Sequence, residues 1–351
     1  MLVFETYGGP FDRGKCHGHA VAHRNDAWMQ EASKELVQHF KVNSISEAIT
    51  KSRDRIQLFC DWWAAAEPDS LEECHGIAAG LDTEAEICLA YNTLYRLISS
   101  PAQCTVIGVL SDKNEPLIGK SDDVCVNELG ANVIEISHPD KNYGFLSIRF
   151  AGTVWTFSGM NEMGLAAGLT GITGPTLEKK GVPSLIGVHS LLQHCSTVGE
   201  AIDYLNLLKM NFGGFSVLLG DAKGHMGLVE KNGAGTVILP CQKDGWYIHT
   251  NHILDGALAL ECPQQVEPIY SNSLGRYENA MQLVPQKPRD VTGIIELFSN
   301  RSQTGSIVQN GPDGLYTDYR AVYLPAEKKI IYMEGYKNDD KTELHLADFF
   351  G

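Results

Sequence analysis

The chain has 351 residues, 43% of them hydrophobic, so it can bury a substantial core without disulfide or metal staples. Its 28 Lys and Arg stand against 43 Asp and Glu, a net charge of -15 whose mean field repels polyanions and argues against nucleic acid as a partner. The opening stretch carries Glu5, Pro10, Asp12 and Arg13 where a secretory leader needs an apolar run, and no later window approaches a membrane span, so the expectation is a cytoplasmic protein with no membrane partner.

From about residue 25 to residue 100, apolar side chains recur every three or four positions, which predicts helices. Capping boxes punctuate this run at Ser44 with Glu47, Ser70 with Glu73 and Thr83 with Glu86, and a further one comes later at Thr197 with Glu200. Pro101 closes the last helix, since proline cannot continue the ladder and holds its predecessor extended. After Gln103 the rhythm shortens to apolar or alternating runs at 104–110, 116–118, 133–136, 145–150, 155–157 and 165–169, with Gly152 marking a turn. Helical spacing returns over 184–208, and strands are predicted again at 215–219, 226–230, 236–239 and 246–249. Residues 321–324 and 329–332 flank Pro325-Ala326-Glu327-Lys328 as a β-hairpin. Runs of strands separated by runs of helices, without repeat or long linker, indicate a layered α+β unit with a helical N-terminal part.

Nine cysteines, at 16, 60, 74, 88, 104, 125, 195, 241 and 262, form an odd, scattered set without a CxxC pair, and any one of them reads first as a buried packing residue. Cys104 stands apart. It opens a strand directly after a helix and a proline, and the strand turns at Asp112-Lys113-Asn114-Glu115 and comes back through Leu117-Ile118-Gly119-Lys120-Ser121-Asp122-Asp123. That hairpin returns a carboxylate beside the cysteine: Asp123, nineteen positions on, or Asp122 if the register is shifted by one.

Other motifs follow in order along nearly the whole chain: Gly9-Pro10-Phe11-Asp12-Arg13-Gly14 with His17-Gly18, His75-Gly76-Ile77-Ala78-Ala79-Gly80, Ser158-Gly159-Met160-Asn161-Glu162-Met163-Gly164-Leu165, Thr250-Asn251-His252, and Ser271-Asn272-Ser273-Leu274-Gly275-Arg276-Tyr277. Together with the Cys104 hairpin they resemble the penicillin acyltransferase family of N-terminal-nucleophile cysteine hydrolases, related to choloylglycine hydrolases. In that family a mature N-terminal Cys precedes a Gly-Arg/Gln-Asn-x-Asp hairpin. Here Lys120 stands for Arg or Gln and Ser121 for Asn, while Asp123 keeps its place.

The resemblance implies a four-layer αββα fold and self-cleavage between Gln103 and Cys104, giving a helical segment 1–103 and a catalytic domain 104–351 that stay associated. Gln103 is bulkier than the family's usual Gly at that place. The resemblance further implies Cys104 as nucleophile, with its freed α-amino group as base, since an α-amine near pKa ~8 is poised for this. It makes Asp123 the group that orients the amine, and Asn251 with the backbone N–H of Thr170 the oxyanion donors. Arg276 would hold the active-site carboxylate network or a substrate carboxylate. The substrate expected is a small linear amide whose polar acyl group lies near Arg276 or Lys120. Hydrolysis is favoured over transfer to an amine or from an acyl-coenzyme A, and no cofactor or metal is called for. Three alternatives stand beside this. They are a Cys-His thiol hydrolase using His189, His194, His249 or His252, a metal-binding module on Cys16, His17, His19 and His23, and a catalytically silent scaffold.

Overall fold

The alternating runs after residue 103 assemble into two large sheets and a separate two-stranded parallel pair at 182–183 and 210–212, and a strand at the start of the chain joins one of the large sheets. The structure, a computed structural model, describes residues 1–23, 27–94, 103–172, 180–242, 244–260, 269–311, 313–337 and 339–351; Pro101 and Cys262 lie outside them. The strands are β1 (Val3–Gly8), β2 (Gln103–Leu110), β3 (Pro116–Cys125), β4 (Asn132–Pro139), β5 (Phe145–Phe150), β6 (Thr156–Asn161), β7 (Ala166–Ile172), β8 (Val182–Pro183), β9 (Met210–Phe212), β10 (Gly214–Gly220), β11 (Met226–Asn232), β12 (Thr236–Leu239), β13 (Trp246–His249), β14 (Leu315–Leu324), β15 (Lys329–Glu334) and β16 (Thr342–His345). One sheet runs β1-β4-β5-β6-β7-β10-β11-β12 and the other β13-β2-β3-β14-β15-β16. The described helices are α1 (Pro10–Val21), α2 (Ala27–Phe40), α3 (Ile45–Ala66), α4 (Pro68–Gly80), α5 (Ala85–Thr93), α6 (Gly187–His194), α7 (Val198–Leu207), α8 (Gly256–Leu260), α9 (Ile269–Leu283), α10 (Val291–Leu297) and α11 (Ala347–Phe350).

Strand alternation decides the layers. On β2 and β3, Val106 and Ile118 face the other sheet, where they join Tyr319, Tyr323, Ile134, Ile148, Met160 and Leu218 in one buried cluster. The neighbours one position away, Ile107 and Leu117, face outward and pack with Ala280 of α9 and with Ile294 and Leu297 of α10. The outer face of the larger sheet, with Phe145, Phe157 and Phe215, packs against Phe59, Trp63, Ile77 and Leu191 from the helices. Helices, sheet, sheet and helices make the αββα stack.

The N-terminal part differs from its predicted helical character at one end. Val3–Gly8 is a strand that pairs in parallel with β4, Val3 opposite Ile134 through Gly8 opposite Pro139. It is a short edge strand of alternating exposure, so its apolar signal is weak.

Two of the predicted caps form, with the Glu side chain reaching the N–H one residue before the cap, and two do not. Ser44 Oγ accepts the Glu47 N–H at 3.2 Å and Thr197 Oγ1 accepts the Glu200 N–H at 3.3 Å. Helix α4 begins earlier, at Pro68, so Ser70 lies inside it and binds Glu67 O and Trp63 Nε1. Its expected partner Glu73 is buried in an ion-pair network with Arg13, Arg149 and His189. Thr83 caps nothing, because α5 starts at Ala85 with Glu84 as its N-cap.

The glycines of the two early motifs have a packing role. A Cβ on Gly14 would lie 2.0 Å from Glu73 O, on Gly18 2.4 Å from Ile77 O, on Gly76 2.1 Å from Phe11 O, and on Gly80 2.3 Å from Lys15 O. Helices α1 and α4 therefore cross backbone to backbone, which only glycine permits. The Asn161 motif closes the β6–β7 hairpin: its Oδ1 accepts the N–H groups of Met163 and Leu165, its Nδ2 donates to Leu192 O and Cys195 O, and Gly164 supplies the φ of +83°.

Candidate active site

The β2–β3 register places Cys104 opposite Asp122, and Gln103 opposite Asp123. Paired residues share a face, so the thiol and Asp122 point between the sheets with Lys120, while Gln103, Thr105 and Asp123 point toward α9. Cys104 Sγ donates to Asp122 Oδ1 at 3.2 Å, and Lys120 Nζ reaches the same oxygen at 3.2 Å and Ser121 O at 2.6 Å. Asn132 Nδ2 from β4 donates to Asp122 Oδ2 at 3.1 Å and to Asp318 Oδ2 at 2.8 Å, and the Lys120 ammonium stands 5.6 Å from the Tyr319 ring centroid. The carboxylate that the hairpin delivers to the thiol is thus Asp122, with Asp123 one residue along on the opposite face.

Burial dominates the electrostatics here. It pushes the thiol up to about 12 despite the pull of Lys120. Burial also works against the Lys120 ammonium, but the charges of Cys104 and Asp122 outweigh it and the net direction is upward, so Lys120 is a fixed cation. Asp318, nearly enclosed, is pushed up to about 6 by burial, partly offset by the Gly130 and Asn132 donors.

On the other face, Arg276 of α9 binds the backbone around Cys104. Its guanidinium donates to Cys104 O, to Thr105 Oγ1 at 2.8 Å, to Gln103 Oε1 at 2.5 Å and to Asn251 Oδ1 at 2.8 Å, while Nε donates to Asn272 Oδ1 at 2.8 Å. A planar fork is suited to this spread of acceptors, and a lysine would not span it. Asp123 Oδ2 is 4.0 Å from Arg276, and Asp123 Oδ1 accepts the Thr317 hydroxyl at 2.6 Å. Among the described residues Asp123 Oδ2 has no hydrogen-bond partner, and burial pushes the group up to about 6 against the opposing pull of Arg276.

Asn251 follows β13 and spans the two sheets. Its Oδ1 accepts the backbone N–H of Cys104 at 2.7 Å, and its Nδ2 donates to Gly171 O at 2.7 Å. The orientation of the amide follows from these partners, two donors on one end and a carbonyl on the other. Thr170, beside Gly171 on β7, is buried, and its hydroxyl meets His249 Nδ1 at 2.8 Å; His249 Nε2 meets Glu230 Oε1 at 2.7 Å. Glu230 also accepts the N–H groups of Leu254 and Asp255, fixing the loop that carries Asn251.

Cys104, Gln103, Lys120, Arg276 and Asn251 are thereby brought together, Asp123 sits behind the strand, and Thr170 flanks the Asn251 anchor. Among the described residues no histidine is hydrogen-bonded to the thiol. His189 is held by Glu73 and Thr156, His249 by Glu230 and Thr170, and His252 by Ser273 at 2.9 Å. His17 has both ring nitrogens engaged, with Glu135 Oε2 and the Gly152 N–H, each at 2.8 Å, so it has no lone pair to give a metal. Asn132, Asp318 and Thr317 carry no local sequence signal and reach the site from distant strands. Asn272 had a signal in its position four residues before Arg276 on one helix.

A four-layer αββα stack with a cysteine at the head of an inner strand is the arrangement of the N-terminal-nucleophile hydrolases, enzymes that act on amide bonds as amidohydrolases or acyltransferases. The chain belongs to the acyl-coenzyme A:6-aminopenicillanic acid acyl-transferase family, whose model matches residues 110–339. That match begins after Cys104. Comparison with curated proteins gave no match. Among solved structures, the chain is similar to penicillin V acylase from Agrobacterium tumefaciens, at 18% identity over 70% of this chain and 86% of that one, with a TM-score of 0.47. It is also similar to a mutant of conjugated bile acid hydrolase from Clostridium perfringens, at 13% identity, 70% and 93% coverage and a TM-score of 0.44. A third is the Caenorhabditis elegans ortholog of N-acylethanolamine-hydrolyzing acid amidase, at 13% identity, 64% and 93% coverage and a TM-score of 0.44. No described helix is long and apolar enough to cross a membrane.

Proposed function

We propose that the protein is a self-processing cysteine amidase in which Cys104, released by cleavage after Gln103, forms an acyl-enzyme with a small linear amide. The observation that carries this reading is the treatment of the Cys104 α-nitrogen, held at 2.7 Å by Asn251 Oδ1, while the thiol beside it has no histidine partner among the described residues. An enzyme that uses its own α-amine as base needs that nitrogen positioned and needs no separate imidazole.

In the self-cleavage, the sulfur attacks the carbonyl carbon of Gln103, the bond to the Cys104 nitrogen breaks, and the thiol proton ends on that nitrogen. Water then hydrolyses the thioester, leaving a Gln103 carboxylate, a free thiol and two fragments, 1–103 and 104–351. The fragments stay together because their contacts are buried and cross the cut. β1 pairs with β4, His17 meets Glu135, Arg149 and His189 meet Glu73, and Arg13 donates to Gln193. In turnover the freed amine takes the thiol proton, the thiolate attacks the substrate carbonyl, the amine of the substrate leaves with that proton, and water releases the acyl group from sulfur.

Asp123 Oδ2, buried without a hydrogen-bond partner among the described residues, is the acceptor for the new ammonium. Asn251 Nδ2, seated on Gly171 O until substrate arrives, and the backbone N–H of Thr170 supply the oxyanion donors. The Gln103 side chain rests on Arg276, while Lys120 is engaged by Asp122, which marks Arg276 rather than Lys120 as the group that receives a polar substituent of the acyl half. Hydrolysis is the reaction assigned, with an amine or an acyl-coenzyme A as the alternative co-substrate.

The test is the intact mass of the full-length protein and of Cys104→Ala under denaturing conditions. The reading expects fragments beginning at Met1 and Cys104 from the first and one uncut chain from the second. A wild-type chain that stays whole on long incubation refutes it. A substrate panel in which only long-chain apolar amides turn over refutes the polar acyl assignment.

A further inference from the structure

The self-cleavage proposed above has a requirement that turnover does not. Before the cut, the Cys104 nitrogen is an amide and cannot take the thiol proton, so another group must. Among the described residues, the carboxylate in contact with the sulfur is that of Asp122: Cys104 Sγ donates to Asp122 Oδ1 at 3.2 Å, the two residues being directly opposite in the β2–β3 ladder, while Lys120, the other group beside the sulfur, is held as a cation. We infer that Asp122 is the catalytic base of the precursor, and that Lys120, Asn132 and Asp318 hold it in that role.

The geometry around Asp122 is built for a carboxylate that both receives and passes on a proton. Oδ1 faces the sulfur and the Lys120 ammonium, and Oδ2 accepts Asn132 Nδ2 at 3.1 Å. Asn132 is itself fixed by Asp318 Oδ2 at 2.8 Å, and Asp318 Oδ1 by the Gly130 N–H at 2.7 Å. This chain runs from β3 to β4 to β14 and leaves the carboxylate no freedom to turn from the thiol. Lys120 supplies a positive charge beside a sulfur that becomes negative, countering the burial that opposes the thiolate.

The proton balance closes. The proton moves from Sγ to Asp122 as the sulfur–carbon bond forms. It moves from Asp122 to the Cys104 nitrogen as the carbon–nitrogen bond to Gln103 breaks, so Asp122 ends this step as it began, a carboxylate, now beside the Gln103 thioester; the water that hydrolyses the thioester returns a proton to the sulfur. Asp123, on the other face of β3 and engaged by Thr317, does not touch the sulfur and is assigned no part in this step.

The experiment follows cleavage of freshly purified full-length protein by mass spectrometry for wild type, Asp122→Asn and Asp122→Ala, the last with and without formate. A positioned general base accounts for about 100-fold or more in rate. Asp122→Asn is expected to slow cleavage by at least that factor while unfolding cooperatively in a thermal melt. Formate, a carboxylate that fits the space left by the side chain, is expected to restore cleavage in Asp122→Ala but not in Cys104→Ala. Added hydroxylamine, which traps a thioester already formed, is not expected to rescue Asp122→Asn, because the step lost is the attack on Gln103. If wild type cleaves and Asp122→Asn cleaves within threefold of it, this inference fails while self-processing stands. If Asp122→Asn melts without cooperativity, absence of formate rescue in Asp122→Ala overturns the inference. Failure of wild type to cleave removes both. For the positioning residues, Asp318→Asn is expected to slow cleavage about tenfold and Asp318→Glu to recover part of it; equal rates for all three side chains would remove Asp318 from the chain.

Discussion

Asp123 stores a cost that its replacement should release. In the intact chain it is fully buried, with one oxygen on Thr317, the other without a hydrogen-bond partner among the described residues, and Arg276 at 4.0 Å. Burial raises it from 3.8 to about 6, and the favourable pull of Arg276 is already contained in that balance. The gap corresponds to about 3 kcal/mol at neutral pH. The sign follows from proton counts. Between about pH 4 and 6 the folded protein retains a proton that the unfolded chain has released, so stability falls as pH rises through that window, and the full cost is present at pH 7. Asp123→Asn keeps an oxygen for Thr317 and removes the charge. In a Cys104→Ala background, which keeps the chain intact, the Asn variant is expected to be more stable by about 2–3 kcal/mol at pH 7, the difference shrinking toward zero near pH 4. Urea denaturation of the pair at pH 4, 5, 6 and 7 measures it. A difference that does not change with pH, or an Asn variant less stable at pH 7, would refute the account of Asp123 as an unsatisfied buried charge. The same substitution in the self-cleaving chain should impair turnover, since the new ammonium would lose its acceptor.

Two further outcomes follow from packing and charge. Gly76→Ala sets a methyl group 2.1 Å from Phe11 O, so α1 and α4 must separate at a loss of about 2–3 kcal/mol, whereas Gly199→Ala in α7, with nothing within 4 Å, should be neutral or gain about 0.5 kcal/mol; chemical denaturation separates them. Glu73→Gln leaves buried Arg13 without its carboxylate and Arg149 with Glu135 alone, and should cost about 3–5 kcal/mol, read as a lower denaturation midpoint; a loss under about 1 kcal/mol would mean the network carries little.

Much of the architecture was legible because it rests on period. The strands at 145–150, 215–219 and 246–249, the Cys104 hairpin and the closing hairpin were each written as short apolar runs between turn residues, and the structure places strands there. Ser44 and Thr197 were read as caps because the signal is contained within four residues. Ser70 and Thr83 carry the same pattern and failed, since α4 starts at Pro68, three residues before a Ser70 cap would start it, Glu73 is claimed by arginines from α1 and β5, and α5 starts one residue late for Thr83. β1 was missed because an edge strand has little apolar signal of its own and takes its place from β4.

At the site, the sequence by itself determined the participants: a cysteine at the head of a hairpin, carboxylates at its returning end, and an Asn and an Arg in later motifs. Only the tertiary structure decided which carboxylate meets the thiol. The side-chain period of a strand is two, so a shift of one residue exchanges the faces, and the pairing of Cys104 with Asp122 sends Asp123 to Arg276 and Thr317. It also decided that Asn251 presents its oxygen to the Cys104 nitrogen, because that amide is oriented by Arg276 and Gly171, which no local spacing connects. Asn132 and Asp318 enter for the same reason: a hydrogen bond between strands depends on sheet order, and sheet order is set by the burial of whole faces, not by any one segment of the chain.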